Sequence, residues 1–168
     1  MSCHKILLPL DGSELAEKAL APAAAIAEAF SAEIILLRVV VPLPIKLDEE
    51  LYGRIIEGGQ TEAKMYLSRI QRHPLLSKLS TTCTTIVGSA AKSIIDYAQE
   101  NDIDLIVMSS HGRSGASRGV YGSVAEKVLH QATSSLAIIH PQVESETFDL
   151  KRIQVPLDGS LGCVPIIL

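Results

Sequence analysis

Four glycines, Gly112, Gly115, Gly119 and Gly122, lie between the apolar run Asp104-Leu105-Ile106-Val107-Met108 and a helical pattern carried by Val124, Val128 and Leu129. Anion binding needs unhindered backbone N–H groups at a helix N-terminus, where the helix dipole is positive and the first donors have no partner within the helix. Gly122-Ser123 stands where that helix should start, so this segment is the best anion site in the chain. Ser123 adds a hydroxyl, and Arg113 and Arg118 add charge. A second chemical group is Asp11, in Asp11-Gly12-Ser13-Glu14 directly after Ile6-Leu7-Leu8-Pro9-Leu10. Its carboxylate suits a ribose hydroxyl or a base edge.

Each group also has an ordinary structural use. Asp-Gly-Ser after a strand is a common helix cap, and a glycine-rich segment often only connects two elements. His111 has the chemistry to act on a phosphate or to titrate near neutrality, but a solvent-facing or capping histidine is the commoner case, and no catalytic role is assigned to it. Arg113, Ser114, Ser117 and Arg118 suit either a basic, phosphorylatable lid or a solvated loop. Neither a Gly-x-x-x-x-Gly-Lys-Ser/Thr loop nor a Gly-x-Gly-x-x-Gly after a strand occurs, and no Gly-x-Ser-x-Gly elbow or His-Glu-x-x-His helix supports a hydrolase. Cys3, Cys83 and Cys163 form no metal-binding or disulfide pattern, and Cys83, in a β-branched run, is expected to be a buried small hydrophobe.

The elements that must position these groups alternate regularly. Ile6 to Leu10 reads as a strand buried on both faces, with Pro9 at its end. A helix follows from Asp11-Gly12-Ser13, with Leu15, Ala19, Pro22, Ile26 and Phe30 on one face and a kink expected at Pro22. Glu33 to Val41 is the second strand, closed by Pro42-Leu43-Pro44. Between Asp48 and His73 a helix is expected that offers Ile55, Ile56, Met65, Leu67 and Ile70 for burial and is weakened at Gly58-Gly59, so that it divides into two pieces or continues as one. Thr81 to Val87, 104–108 and 136–140 read as strands three to five, with helices after the third and fourth. This alternation is the signature of an open, mostly parallel α/β sheet, in which ligands bind at the carboxyl ends of the strands.

Composition narrows the class. The chain has 168 residues, 47% of them hydrophobic and 20% charged, so one compact domain is expected rather than a disordered chain. The net charge of −4 and a pI near 5.7 argue against a broad nucleic-acid footprint. Prolines and Arg38 interrupt the longest apolar runs, which excludes a membrane span, and the N-terminus lacks an export signal, which makes the cytoplasm the expected address.

The residues resemble the universal stress protein family. That family's nucleotide-binding pattern is Gly, two residues, Gly, nine residues, then Gly-Ser or Gly-Thr, and here it reads Ser109-Ser110-His111-Gly112, nine residues, Gly122-Ser123. The likeness runs from Ile6 to His140 and includes Pro9-Leu10-Asp11-Gly12-Ser13 and the run from Gly122 to Leu129. It implies a five-stranded parallel sheet in the order 3-2-1-4-5 with helices on both faces. It also implies ATP binding with Mg²⁺ in a stress-response regulatory module: Asp11 would bond the nucleoside with Pro9 beside it, Val39 would offer backbone groups to adenine, and Gly112, Gly122, Ser123 and Val124 would hold the phosphates. Ser109 departs from the pattern, bringing a Cβ and a hydroxyl where the family has glycine. Family members dimerise through strand five, so Leu136, Ala137, Ile138 and Ile139 are the expected homodimer seam. Two other readings remain open: a nucleotide-free, partner-binding dimer, and a slow ATPase or phosphotransferase, for which no base is identifiable.

The tail repeats the opening. Ile153-Gln154-Val155-Pro156-Leu157-Asp158-Gly159-Ser160 follows the pattern of Ile6 to Ser13. The expected organisation is therefore one domain over 1–141, a linker over 142–151 and, over 152–168, the truncated start of a second unit, as in a fragment of a tandem family member.

Overall fold

The computed structural model describes residues 3–42, 44, 48–112 and 121–140; the linker and second-unit expectations for 142–168 lie outside the described residues. The order of elements is β1 (Lys5–Pro9), α1 (Glu14–Glu17), α2 (Leu20–Phe30), β2 (Glu33–Val40), α3 (Glu49–Gln71), a 3₁₀ turn (Pro74–Leu76), β3 (Thr81–Val87), α4 (Ala90–Glu100), β4 (Leu105–Ser109), α5 (Ser123–Gln131) and β5 (Ser135–Ile139). The five strands form one parallel sheet in the order β3-β2-β1-β4-β5, as expected. β1 lies at its centre, with Ile6 opposite Ile34 on β2 and opposite Leu105 on β4.

Alternation along the strands divides the core in two. Ile6, Leu8, Ile34, Leu36 and Val107 pack on one face against Ala23, Ile26 and Ala27 of α2 and Leu67 and Ile70 of α3. Leu7, Ile35, Leu37, Ile106 and Met108 pack on the other against Ala91, Ile94 and Ala98 of α4 and Ala125 and Val128 of α5. Because β1 is buried on both faces, its apolar run is unbroken rather than alternating with polar residues.

Several expectations are corrected. The first helix is two pieces: the break falls at Lys18-Ala19, and Pro22 sits in the first turn of α2, where its missing N–H removes no hydrogen bond. Phe30, on the expected buried face, is largely exposed at the helix end. α3 continues unbroken through Gly58-Gly59, because Ala63, Leu67 and Ile70 hold it on the sheet and offset a glycine cost of about 1 kcal/mol each. Its face is rotated from the one expected, which leaves Met65 70% exposed and Ile55 outside the core. Cys83 is exposed, on β3 at the edge of the sheet. Partial burial pushes its thiol upward, and burial and then the Asp104 carboxylate do the same for Cys3, so neither is a thiolate near neutrality. Among the described residues, no helix is long and apolar enough to cross a membrane.

Asp104 staples the amino ends of the central strands. Its Oδ2 accepts from the backbone N–H groups of His4 at 2.8 Å and Lys5 at 3.0 Å, and these two donors hold the carboxyl below its ordinary value. A carboxylate whose pKa is depressed on folding adds stability above its unfolded pKa and loses it as the pH falls through the folded one. Asp104→Ala should therefore lower the melting temperature at neutral pH, and the gap to the unsubstituted protein should close as the pH drops below the ordinary carboxylate range. A gap that stays constant in acid, followed by calorimetry across pH, would exclude this contribution.

Candidate functional site

The carboxyl ends of β1, β2 and β4 open into one cavity of about 580 Å³. It lies at the switch point of the sheet, where the chain leaves β1 and β4, two neighbouring strands, toward opposite faces. Pro9, Asp11, Val39, Ser109, Gly112, Gly122, Ser123 and Val124 all line it. The tertiary structure thus brings together all eight residues singled out from the sequence, while Arg113, Ser114, Gly115, Ser117, Arg118 and Gly119 lie outside the described residues.

Asp11 occupies the turn after β1. Gly12 beside it has φ 83, a left-handed conformation that side chains disfavour, and this lets the chain reverse into α1. Asp11 Oδ1 accepts from the backbone N–H of Ser13 at 2.9 Å and from its hydroxyl at 2.5 Å, while Ser13 Oγ accepts from the N–H of Ala16 at 3.2 Å. Ser13 is therefore the cap of α1, and Asp11 orients it. The other carboxylate oxygen lies against residue 112: a Cβ built there would collide with Asp11 Oδ2, so any larger residue there requires the carboxylate to shift.

The N-terminus of α5 forms the opposite wall. Gly122 is its N-cap and, as a glycine, offers no side-chain acceptor to the first N–H groups. The Gly122 N–H donates to the Ser110 carbonyl at 2.8 Å, and the first helical bond runs from the Glu126 N–H to the Gly122 carbonyl at 2.9 Å. The N–H groups of Ser123 and Val124 at the head of the helix are the donors that helix geometry leaves over. Ser109, the departure from the glycine pattern, is buried, and its hydroxyl accepts weakly from the His111 N–H at 3.4 Å. His111, for which an exposed or capping position was the ordinary expectation, is buried, because the end of β4 tucks beneath α5.

Sequence reasoning missed the third wall. Gly59, Glu62, Ala63 and Tyr66 of α3 face the cavity together with Arg38 of β2. Arg38 donates to the Leu10 carbonyl at 3.2 Å and lies 5.6 Å from the Tyr66 ring centre, and Arg69 lies 5.3 Å from the same centre. Tyr66 donates to Glu17 Oε1 at 3.1 Å, and Arg69 pairs with the same oxygen at 2.9 Å. Burial first, and then the Glu17 carboxylate, push the Tyr66 phenol upward, so it remains a donor. The spacing of Gly59, Glu62, Ala63 and Tyr66 marks one helical face, but only the packing of α3 across β2 aims that face at the cavity. Among the described residues, no cluster of three or more His, Cys, Asp or Glu is placed to hold a metal.

The sequence profile of the universal stress protein family matches residues 3–140. The chain belongs to this family. Universal stress protein MJ0531 of Methanocaldococcus jannaschii is 30% identical over 140 residues, covering 80% of this chain and 81% of the relative. The solved structure of the hypothetical protein MJ0577 from the same organism superposes with a TM-score of 0.78 at 28% identity, covering 86% of this chain and all of that one. A universal stress protein from Archaeoglobus fulgidus, solved in complex with dAMP, has a TM-score of 0.56 at 23% identity over 82% of this chain and 98% of that one; this likeness is one of fold.

The contact between Asp11 and residue 112 is testable through stability. Gly112→Ala should destabilise the protein by about 1–3 kcal/mol, the usual cost of forcing atoms into filled space. Gly53→Ala, in α3 with nothing within 4 Å of the added Cβ, should instead stabilise it by about 0.5–1 kcal/mol. Equal effects in urea denaturation would show that the Asp11 contact is not what requires a glycine at position 112.

Proposed function

We propose that this universal stress protein binds ATP, with Mg²⁺, in the cavity between β1 and β4, and that occupancy biases a loop or a protein contact in a stress-response module. The observation that carries this reading is the joint presence, in one cavity, of the Asp11 carboxylate and the N-terminus of α5, whose N-cap is a glycine. The two have opposite character. A neutral, hydroxyl-bearing nucleoside suits Asp11, with Pro9 beside it and the Val39 backbone near the base, and an anionic phosphate suits Gly112, Gly122, Ser123 and Val124. The Ser123 hydroxyl is available to a phosphate oxygen or to the metal that accompanies it. Ser109 is compatible with this reading, because its hydroxyl turns to the His111 N–H. The A. fulgidus protein of the same fold was solved with dAMP, which agrees with an adenine nucleotide as the ligand class.

Calorimetric titration of nucleotide-free protein with Mg-ATP should show saturable binding. Asp11→Ala should weaken it by at least about tenfold, as expected when a hydrogen bond to a charged group is lost. Folded protein that binds no ATP at millimolar concentration would overturn the reading, and release of phosphate above a blank would assign a slow hydrolytic step to the same site.

A second reading, compatible with the first, is a homodimer through Leu136, Ala137, Ile138 and Ile139. It is favoured by the position of β5 at the edge of the sheet among the described residues, and by the incomplete burial of Leu136 and Ile138. Sedimentation should give a dimer that Ile138→Lys converts to monomer; a monomer at high micromolar concentration before substitution would exclude it.

A further inference from the structure

β1 and β2 stop pairing where the cavity begins, and one side chain stands at the point where they stop. Odd-numbered residues of β2 turn their backbone groups toward β1: the Glu33 N–H donates to the His4 carbonyl at 2.8 Å, and the Leu37 carbonyl accepts from the Leu10 N–H at 2.8 Å. In a parallel ladder of this register the next rung would run from the Val39 N–H to the Leu10 carbonyl. Among the described residues that rung is not made, and the Leu10 carbonyl accepts instead from Arg38 Nη1 at 3.2 Å. The guanidinium also lies over the Tyr66 ring, 5.6 Å from its centre, and Tyr66 in turn donates to Glu17 of α1. Leu10, Asp11, Arg38 and Val39 all line the cavity.

We infer that Arg38 is a positioning residue for the nucleoside half of the site: it takes the Leu10 carbonyl, which keeps the Val39 backbone out of the ladder and holds the Asp11 turn. Leu10 is buried, so its carbonyl needs a partner, and the guanidinium supplies one without extending the sheet. Val39 then turns an N–H and a carbonyl to the gap between the strands, one donor and one acceptor of the kind a base edge requires. The same bond ties to β2 the peptide that leads into Asp11, so the carboxylate keeps its place when a hydroxyl reaches it. The inference rests on the nucleoside position of the ATP reading. Arg38 acts in it through Leu10, and not by its charge.

The test begins with the full chain free of ligand. Amide hydrogen exchange, read by ¹H–¹⁵N correlation, should find Val39 exchanging at least about tenfold faster than Leu10. Arg38→Met, which keeps the apolar stem and removes the donors, should slow Val39 toward the Leu10 rate as the missing rung closes. In calorimetry, Arg38→Met should weaken adenosine binding by about tenfold, the effect of a misaligned hydrogen bond to the Asp11 carboxylate, and ATP binding by at least as much. Arg38→Lys, which keeps a donor and the charge, should recover part of the loss. Adenosine carries no charge, so losing a positive charge alone would leave its affinity unmoved. Unchanged adenosine affinity with weakened binding of ATP and inorganic tripolyphosphate would make Arg38 an anion ligand and overturn the positioning role. A Val39 amide as protected as Leu10 before substitution, or one that Arg38→Met does not slow, would overturn it as well, and the first of these is read on the unsubstituted protein even if the variants fail to fold. Val39 exchange that behaves as expected in a protein that binds neither ATP nor adenosine would uphold Arg38 as the end of the ladder and sink the ATP reading. ATP and adenosine binding that Arg38→Met leaves intact would do the reverse.

Discussion

The Asp11 carboxylate lies where a Cβ on residue 112 would have to be. This close approach exists because β1 and β4 are hydrogen-bonded neighbours whose chains depart to opposite faces of the sheet, α1 and α2 to one and α5 to the other. The parting opens a crevice, and the two turns that leave the strands form its walls. Glycine at 112 lets the walls meet without collision, and the left-handed Gly12 turns the chain so that Asp11 stays at the meeting point. Moving either turn by the width of a methyl group would part the carboxylate from residue 112.

Polarity is distributed unevenly around this crevice. β4 is apolar and buried from Leu105 to Met108, and then three polar residues, Ser109, Ser110 and His111, follow while still buried. Burying polar side chains is unfavourable unless they find partners, and these find them largely among themselves and in the backbone. The α3 wall is different in kind. There the charges of Glu17, Arg38 and Arg69 gather around one phenol at a half-exposed rim, where solvent weakens each pair and the arrangement fixes orientation more than it adds stability. The cavity thus joins a buried polar end at the close of β4 to a charged, wetter end at α3.

Membership of the universal stress protein family accounts for the architecture, and the residues of this chain account for its particular site. Ser109 in place of glycine is accommodated through a hydrogen bond within its own turn. Gly59 lets α3 approach Val40 more closely than a larger residue would, since a Cβ there would lie 2.9 Å from Val40 Cγ1. Both residues line the cavity.

Much of the fold was legible in the residue order. Unbroken apolar runs at Ile6 to Leu8 and Leu105 to Met108 report strands buried on both faces, and Asp48 and Ser13 mark helix starts because their side chains accept from backbone N–H groups that a helix leaves over. Asp11, Gly112 and Gly122-Ser123 were legible as a group because their chemistry is local, a carboxylate in one turn and glycines at a helix head. Tertiary structure decided what local pattern leaves open. The break at Lys18-Ala19 instead of Pro22, the rotation that exposes Met65 and the exposure of Cys83 depend on which surface each element meets, and a one-dimensional pattern does not record that. The α3 wall and the burial of His111 are of the same kind: their residues come together only when strands distant in sequence pair side by side, because proximity across a sheet is set by strand order and not by spacing along the chain.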